Sequence, residues 1–218
     1  MTALEDVVLV HGLWMHGVVM ALMRRRMERC GYRALSYSYP SMQLTLTENA
    51  ERLAEFCRNL NAPRVSFVAH SMGGLVVLRM LGCAARIGIG RVVLVGVPCA
   101  ESFAARRMVR LPGGRAALGR SIPEWHARDR GDRLDRFEIG VIAGNLSVGL
   151  GRLVAPDLPG PNDGVVSVAE THLPEMRDSI VLKVSHSGML VSKGVARQAC
   201  EFLRHGAFAD GEGVRQEP

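Results

Sequence analysis

Short apolar runs alternate with longer amphipathic stretches along most of the chain. The runs are rich in Val, Leu and Ile and carry few polar residues, which predicts strands that are buried on both faces. Six strands are predicted, over residues 7–10, 33–37, 65–69, 91–97, 137–143 and 179–184. Strands of this kind that alternate with helices are typical of a parallel sheet covered by helices on both faces.

The stretches between the strands have the apolar periodicity of helices that pack on one side. The first helix is predicted over residues 18–29, with five inward side chains: Val18, Val19, Leu22, Met23 and Met27. Thr45 and Glu48 form a capping box that opens the second helix. The last helix is predicted over residues 189–203, docked through Leu190, Val191, Val195, Ala199 and Phe202. The polar tail that follows is expected to fray.

One segment, residues 99–136, interrupts the alternation of strands and helices. Phe103, Met108, Val109 and Leu111 predict a small amphipathic helix within it. We expect the whole chain, residues 1–218, to form one domain, because this length suits a single core. The segment would be a small cap on that domain. We expect it to wall the ligand site, so that shortening it would change ligand preference more than stability.

The composition is that of a globular protein, with 48% hydrophobic residues among 218. No apolar run reaches the roughly 18–20 residues of a membrane span. The first six residues carry two acids and no base, which predicts no secretory signal. The five Cys are scattered without C-x-x-C spacing, so we expect neither a zinc site nor a disulfide framework, but reduced thiols in a cytoplasmic protein.

The net charge of +6 comes almost entirely from Arg, since Lys183 and Lys193 are the only lysines. An excess of basic residues can support nucleic-acid binding. Here the arginines are spread among acidic residues with few aromatics nearby, which favours a compositional bias. No nucleic-acid partner is therefore expected, and the sequence leaves the oligomeric state open.

The strongest chemical signal lies where the third predicted strand meets a helix-length apolar run. Ser71 stands at this corner, between Ala69 and the pair Gly73 and Gly74. A Ser at a strand-to-helix corner is held in a strained, exposed turn, and the first N–H groups of the helix point into the space above it. This pattern predicts a nucleophile, although a Ser that only caps a buried helix is an alternative interpretation.

A nucleophilic Ser needs a base, and a basic His needs an acceptor for its second ring nitrogen. His186 directly follows the last predicted strand and is the candidate base, with His172 as a less favoured rival. Asp163, in a turn between Asn162 and Gly164, is the candidate acceptor. Asp157 and Asp178 also precede His186 and follow the predicted strand that ends at residue 143. We expect Asp157, between Pro156 and Pro159, to lie in a rigid loop that does not suit an acid, and Asp178 to lie at the far end of the last strand from His186. A third loop, after the first strand, contains His11-Gly12-Leu13, where His11 is expected to fix the loop by hydrogen bonds.

Four motifs together resemble the lipase and esterase branch of the α/β-hydrolase superfamily, small bacterial lipases in particular. They are His11-Gly12-Leu13, Ala69-His70-Ser71-Met72-Gly73-Gly74, Asn162-Asp163-Gly164-Val165-Val166 and His186-Ser187-Gly188-Met189-Leu190. The resemblance spans residues 7 to about 208. Ala69 replaces the first Gly of the usual elbow, and the chain starts directly at the strand before His11. The resemblance therefore implies a three-layer α/β-hydrolase fold with a minimal, mostly parallel sheet of about six strands.

The resemblance also implies a function. Ser71 would be the nucleophile, His186 the base and Asp163 its orienting acid, while Leu13 and Met72 would give backbone N–H groups to the oxyanion. The implied reaction is hydrolysis of a small-molecule or lipid carboxylic ester through an acyl-serine intermediate, without cofactor, metal or stable membrane insertion. An acyltransferase, a thioesterase and a non-catalytic binding protein of the same fold remain alternatives.

Overall fold

The structure, a computed structural model, describes residues 5–83, 87–126, 134–149, 152, 155–211 and 213–215. Seven strands within these ranges are β1 (Asp6–Val10), β2 (Arg33–Tyr37), β3 (Val65–His70), β4 (Ile89–Val95), β5 (Ile139–Gly144), β6 (Asp178–Leu182) and β7 (Val214–Arg215). They form one sheet in the order β2-β1-β3-β4-β5-β6-β7. The first six strands pair in parallel, and β7 pairs antiparallel with β6. The mostly parallel sheet predicted from the sequence is confirmed, with one short strand more than expected.

Helices cover both faces of this sheet. The α-helices in the described ranges are α1 (Ala21–Arg29), α2 (Leu46–Asn59), α3 (Met72–Cys83), α4 (Phe103–Val109), α5 (Gly114–Leu118), α6 (Ser121–His126) and α7 (Lys193–His205). Short 3₁₀ helices are Gly17–Met20, Ala169–Thr171 and Ser187–Leu190. None of these described helices has both the length and the apolar character needed to cross a bilayer.

The core consists of one hydrophobic cluster on each face of the sheet. Phe67 points to the face covered by α2 and α3, where it belongs to the same cluster as Leu53. Its neighbour Val68 points to the opposite face and joins Met23 of α1 and Phe202 of α7. Because successive strand side chains alternate between faces, both faces of β3 are apolar and buried. This two-sided burial explains why the central strands appear in the sequence as continuous apolar runs.

The predicted capping box at the start of α2 is confirmed. The Thr45 hydroxyl accepts the Glu48 N–H at 3.2 Å, and the Glu48 carboxylate accepts the Thr45 N–H at 2.7 Å. Two otherwise unpaired N–H groups are thus satisfied at the helix start.

The predicted inward faces of the first and last helices are partly wrong. Val18 and Leu22, both predicted to face inward, are exposed, whereas Met20 is buried. Val191 is also exposed, although it was predicted to dock. In both places a 3₁₀ turn precedes the α-helix, and its 3.0 residues per turn shift the helical phase around Val18 and Val191.

The segment 99–136 folds as three short helices, α4 to α6, rather than one. Residues 127–133 of this segment lie outside the described part of the chain. Leu118, Ile122 and Trp125 are buried in the same cluster as α2 and α3. The α5–α6 part therefore belongs to the core, so shortening that part should lower stability. That shortening the segment changes ligand preference more than stability stays a prediction.

Two further expectations are corrected. Part of the tail forms β7, whose Arg215 pairs with Asp178 at the start of β6. Cys30, at the end of α1, forms a disulfide with Cys200 of α7. The expectation of reduced thiols is therefore wrong for these two cysteines. The cytoplasmic location relied partly on reduced thiols and remains a prediction without that support.

Candidate active site

Ser71 occupies the sharp turn between β3 and α3. Its φ of 53° lies in the left-handed region, which a residue with a Cβ rarely adopts. Its amide N–H donates to the Val95 carbonyl at 3.0 Å. The turn needs close approach of the backbones, since a Cβ built on Gly73 would lie 2.3 Å from the His11 carbonyl oxygen. The strained turn is thus held by β4 and by the loop after β1, and it leaves Ser71 partly exposed.

The loop after β1 lies directly against Ser71. A Cβ built on Gly12 would lie 3.1 Å from Ser71 Cβ and 3.5 Å from Ser71 Oγ. The next residue, Leu13, is only partly buried. The loop therefore brings the backbone of Gly12 and Leu13 beside the nucleophile candidate.

His11 fixes this loop through hydrogen bonds, as the sequence predicted. Its Nε2 accepts the Tyr39 backbone N–H at 3.3 Å, so its proton is on Nδ1, which donates to the Gly12 carbonyl at 2.9 Å. Burial lowers the pKa of His11 and favours this neutral form. His11 is fully buried and is therefore not available to substrate.

Met72 is the first residue of α3, directly after Ser71. The N–H groups of a first helical turn have no acceptor within their own helix, and the positive end of the helix dipole lies there. The Met72 side chain is buried, so only its backbone can take part in chemistry. Met72 follows Ser71 in the chain, and Gly12, the neighbour of Leu13, lies against Ser71. The oxyanion role of Leu13 and Met72 stays a prediction.

Asp163 and His186 form a buried pair. His186 Nδ1 lies 2.7 Å from Asp163 Oδ2, and the His186 backbone N–H donates to the Asp163 carbonyl at 2.9 Å. The other carboxylate oxygen, Oδ1, accepts the N–H groups of Val165 at 2.9 Å and Val166 at 2.7 Å. These bonds leave Oδ2 for the imidazole, so Nδ1 directs its N–H at Oδ2, and Nε2 is the ring nitrogen that can accept a proton when the imidazole is neutral.

Gly96 makes room for this pair at the end of β4. A Cβ on Gly96 would lie 3.2 Å from both Asp163 Oδ2 and His186 Nδ1. Its φ of +59° also suits glycine. Gly96 has no distinctive signal in the sequence, because a single Gly after a strand has no characteristic spacing.

His70 connects the Ser71 turn to the His186 loop. Its Nε2 lies 3.1 Å from the His186 carbonyl, and the two rings are 4.7 Å apart. Complete burial, and secondarily His186, lower the pKa of His70 to about 3. His70 is therefore a neutral donor to that carbonyl, which agrees with its predicted packing role.

The rival residues lie elsewhere. Asp157 is exposed and paired with Arg107 at 2.8 Å, while Asp178 bonds the Phe208 N–H at 2.7 Å at the amino end of β6. His172 is exposed. Of the two tryptophans, Trp125 is core, and Trp14 is 60% exposed with its indole N–H donating to the Ala117 carbonyl at 2.7 Å. Within the described ranges, no three His, Cys, Asp or Glu side chains are grouped so that they could hold a metal ion.

Comparison with known proteins places the sequence in a family. Residues 7–157, more than half of the chain, match the Alpha/beta hydrolase family. No curated protein matches the sequence significantly.

Solved structures resemble almost the whole chain in fold. The mature lipase BlEst2 of Bacillus licheniformis has a TM-score of 0.72 and 20% identity over 94% of this chain and 93% of its own. The metagenomic carboxyl esterase MGS0156 has a TM-score of 0.66 and 21% identity over 94% and 76%. An extracellular α/β-hydrolase of a Paenibacillus species has a TM-score of 0.57 and 11% identity over 94% and 100%. At these identities the likeness concerns the fold.

Proposed function

Because this chain belongs to the α/β-hydrolase family, we propose that it is a serine hydrolase that cleaves carboxylic esters through an acyl-serine intermediate on Ser71. The observation that best supports the proposal is the 2.7 Å contact between His186 Nδ1 and Asp163 Oδ2, together with the strained Ser71 turn. The lipase and esterase among the similar folds give it further support. We propose a small-molecule or lipid ester as the substrate.

In the first half of the reaction, Ser71 Oγ attacks the ester carbonyl carbon while its proton moves to His186 Nε2. Asp163 holds the imidazole orientation and stabilises the cation that forms. The carbonyl oxygen becomes an oxyanion, which the backbone N–H groups of Leu13 and Met72 would stabilise. When the tetrahedral intermediate collapses, the bond to the alcohol oxygen breaks, and that oxygen takes the proton from His186.

In the second half, water replaces the alcohol. His186 Nε2 takes a proton from the water as its oxygen attacks the acyl carbon, and the same oxyanion site is used again. Collapse releases the carboxylic acid and returns the proton to Ser71 Oγ. The cycle needs no group beyond the protein, the ester and water.

The direct test is covalent labelling with a fluorophosphonate probe. We expect one adduct, mapped to Ser71 by peptide mass spectrometry. Ser71→Ala should lose the label and lower p-nitrophenyl ester turnover by roughly 10⁴-fold or more, because triad members act as a unit. Ser187→Ala is the matched control, since Ser187 is an exposed Ser beside His186. Labelling that survives in Ser71→Ala would overturn the proposal.

A further inference from the structure

Tyr39 makes three separate contacts with His11. Its hydroxyl donates to the His11 carbonyl at 2.8 Å, and its backbone N–H donates to His11 Nε2 at 3.3 Å. The two rings also stack, with centroids 4.5 Å apart and planes 19° from parallel. Tyr39 is 5% exposed, so it is not a surface residue that meets substrate.

These contacts fix two consecutive peptide planes. The Tyr39 hydroxyl holds the His11 carbonyl, and therefore the plane between His11 and Gly12. The His11 ring, held by Tyr39, in turn donates from Nδ1 to the Gly12 carbonyl at 2.9 Å. A trans peptide is planar, so the direction of the Gly12 carbonyl sets the direction of the Leu13 N–H on the same plane.

We infer that Tyr39 is a positioning residue that acts through His11 to orient the Leu13 N–H for the oxyanion. This inference rests on the proposed function. Donors to an oxyanion accelerate the reaction only when they are oriented before charge develops. A loop held only at its ends would have to be ordered during the reaction, whereas the Tyr39–His11 contacts order it beforehand.

Loss of the Tyr39 hydroxyl should weaken the orientation without removing the Leu13 donor. Removal of a whole oxyanion donor costs about 10²–10³ in kcat, so we expect Tyr39→Phe to lower kcat by about 10- to 100-fold. KM should change little, because the ground-state carbonyl depends less on these donors. The Asp163–His186 pair is untouched, so the pH profile of the remaining activity should keep its shape.

Tyr37 offers a matched control in the same strand region. It is also buried, and its ring stacks on Tyr39 at 6.0 Å and contacts Phe56. Among the described residues, no hydrogen bond joins its hydroxyl to His11, Gly12 or Leu13. Tyr37→Phe therefore removes a neighbouring phenol oxygen and leaves the loop contacts in place.

The experiment compares wild type, Tyr39→Phe and Tyr37→Phe in kcat, KM, pH profile and Ki for a trifluoromethyl ketone, which forms an oxyanion adduct on Ser. We expect only Tyr39→Phe to lose kcat and to weaken the inhibitor by a similar factor. If both variants behave alike while wild type is active, the inference is wrong and the proposed function stands. If wild type forms no Ser71 adduct, both fail.

A second variant covers the case in which Tyr39→Phe does not fold. His11→Phe keeps an aromatic ring for stacking and removes the bond to the Gly12 carbonyl. We expect the same fall in kcat and inhibitor affinity from it, with KM nearly unchanged. Wild-type kcat in a folded His11→Phe variant would overturn the inference.

Discussion

The two oxygens of Asp163 have different partners, and this makes the acid the most informative residue to test. Oδ1 is held by two backbone N–H groups, and Oδ2 is directed at His186. An amide at this position could present an N–H to His186 and favour the wrong imidazole tautomer. The same substitution at an exposed, ion-paired Asp should leave the imidazole unaffected.

We therefore expect Asp163→Asn to lower turnover by roughly 10³–10⁴-fold with the fold retained. Asp157→Asn is the control, because Asp157 is exposed and pairs with Arg107. It should change turnover less than about twofold, as surface ion pairs contribute little. Steady-state kinetics and circular dichroism check both variants. A reversed order of effects would reject Asp163 as the acid.

The burial of His70 predicts a dependence of stability on pH. Its pKa is lowered to about 3, against about 6.5 in the unfolded chain, so unfolding takes up a proton between these values. Stability that is present above pH 6.5 should therefore be lost as the pH falls toward 3. The loss is expected to reach about 1 kcal/mol per pH unit from this residue.

Urea unfolding at pH 7 and pH 4.5 measures this effect. His70→Gln keeps an N–H donor for the His186 carbonyl but does not titrate, so its free energy of unfolding should fall less between the two pH values. His172→Gln removes an exposed His and should follow wild type. Equal pH dependence in His70→Gln and wild type would contradict the prediction.

At the scale of single residues, the sequence indicates those that have a reactive side chain and also lie just after a predicted strand. Ser71 directly follows β3, and His186 lies shortly after β6, and the parallel sheet brings the ends of such strands to one edge. Tyr39 has no comparable pattern. Its contacts to His11 depend on how the ends of β1 and β2 lie beside each other, which pairing in the folded sheet determines.

At the scale of elements, apolar periodicity predicted helices but not the 3₁₀ turns before two of them. The turn Gly17–Met20 buries Met20 and exposes Val18, which was predicted to face inward. A 3₁₀ turn of four residues has no periodic signal of its own. The sequence therefore predicted that these helices exist, but not which side chains around the start of each helix face the core.

The segment from α4 to α6 illustrates how an irregular region divides between core and surface. Ile122 of α6 is buried against the cluster of α2 and α3, while Leu111, just after α4, is 49% exposed. We expect Ile122→Ala to lower the free energy of unfolding by about 2–4 kcal/mol, and Leu111→Ala to lower it by less than about 0.5 kcal/mol.

Chemical denaturation and a series of p-nitrophenyl esters of increasing chain length test this division. If the surface part of the segment contributes to the acyl site, Leu111→Ala should change chain-length preference at constant stability. Equal destabilisation by the two variants would show that the whole segment is core. An unchanged chain-length preference in Leu111→Ala would show that Leu111 does not contribute to the acyl site.

At the scale of the whole molecule, the alternation of apolar runs and helices in the sequence predicts the fold. It does not predict the disulfide or the edge strand β7. Two residues, Val214 and Arg215, form β7 only because they meet β6 and because Arg215 reaches Asp178. The disulfide joins residues 170 positions apart. Neither feature has a local pattern, because each depends on packing between distant parts of the chain.

The disulfide should contribute measurably to stability. A bond that closes a loop of this length is expected to raise the free energy of unfolding by about 2–5 kcal/mol. Cys200→Ala should therefore lower Tm, and reductant should lower the Tm of wild type but not of this variant. Cys57→Ala, which changes a thiol outside the disulfide, should retain the response to reductant. A wild-type Tm that stays the same with and without reductant would contradict the expectation.

The Cys30–Cys200 bond also turns the backbone between these residues into a covalent ring. A single protease cut within α4 or α5 would open the ring but would not divide the molecule, because Cys30 and Cys200 lie on opposite sides of the cut. Ser71 would then be on one fragment, and Asp163 and His186 on the other. Such a nicked molecule would migrate as one species without reductant and as two with it, with both parts of the site still tethered.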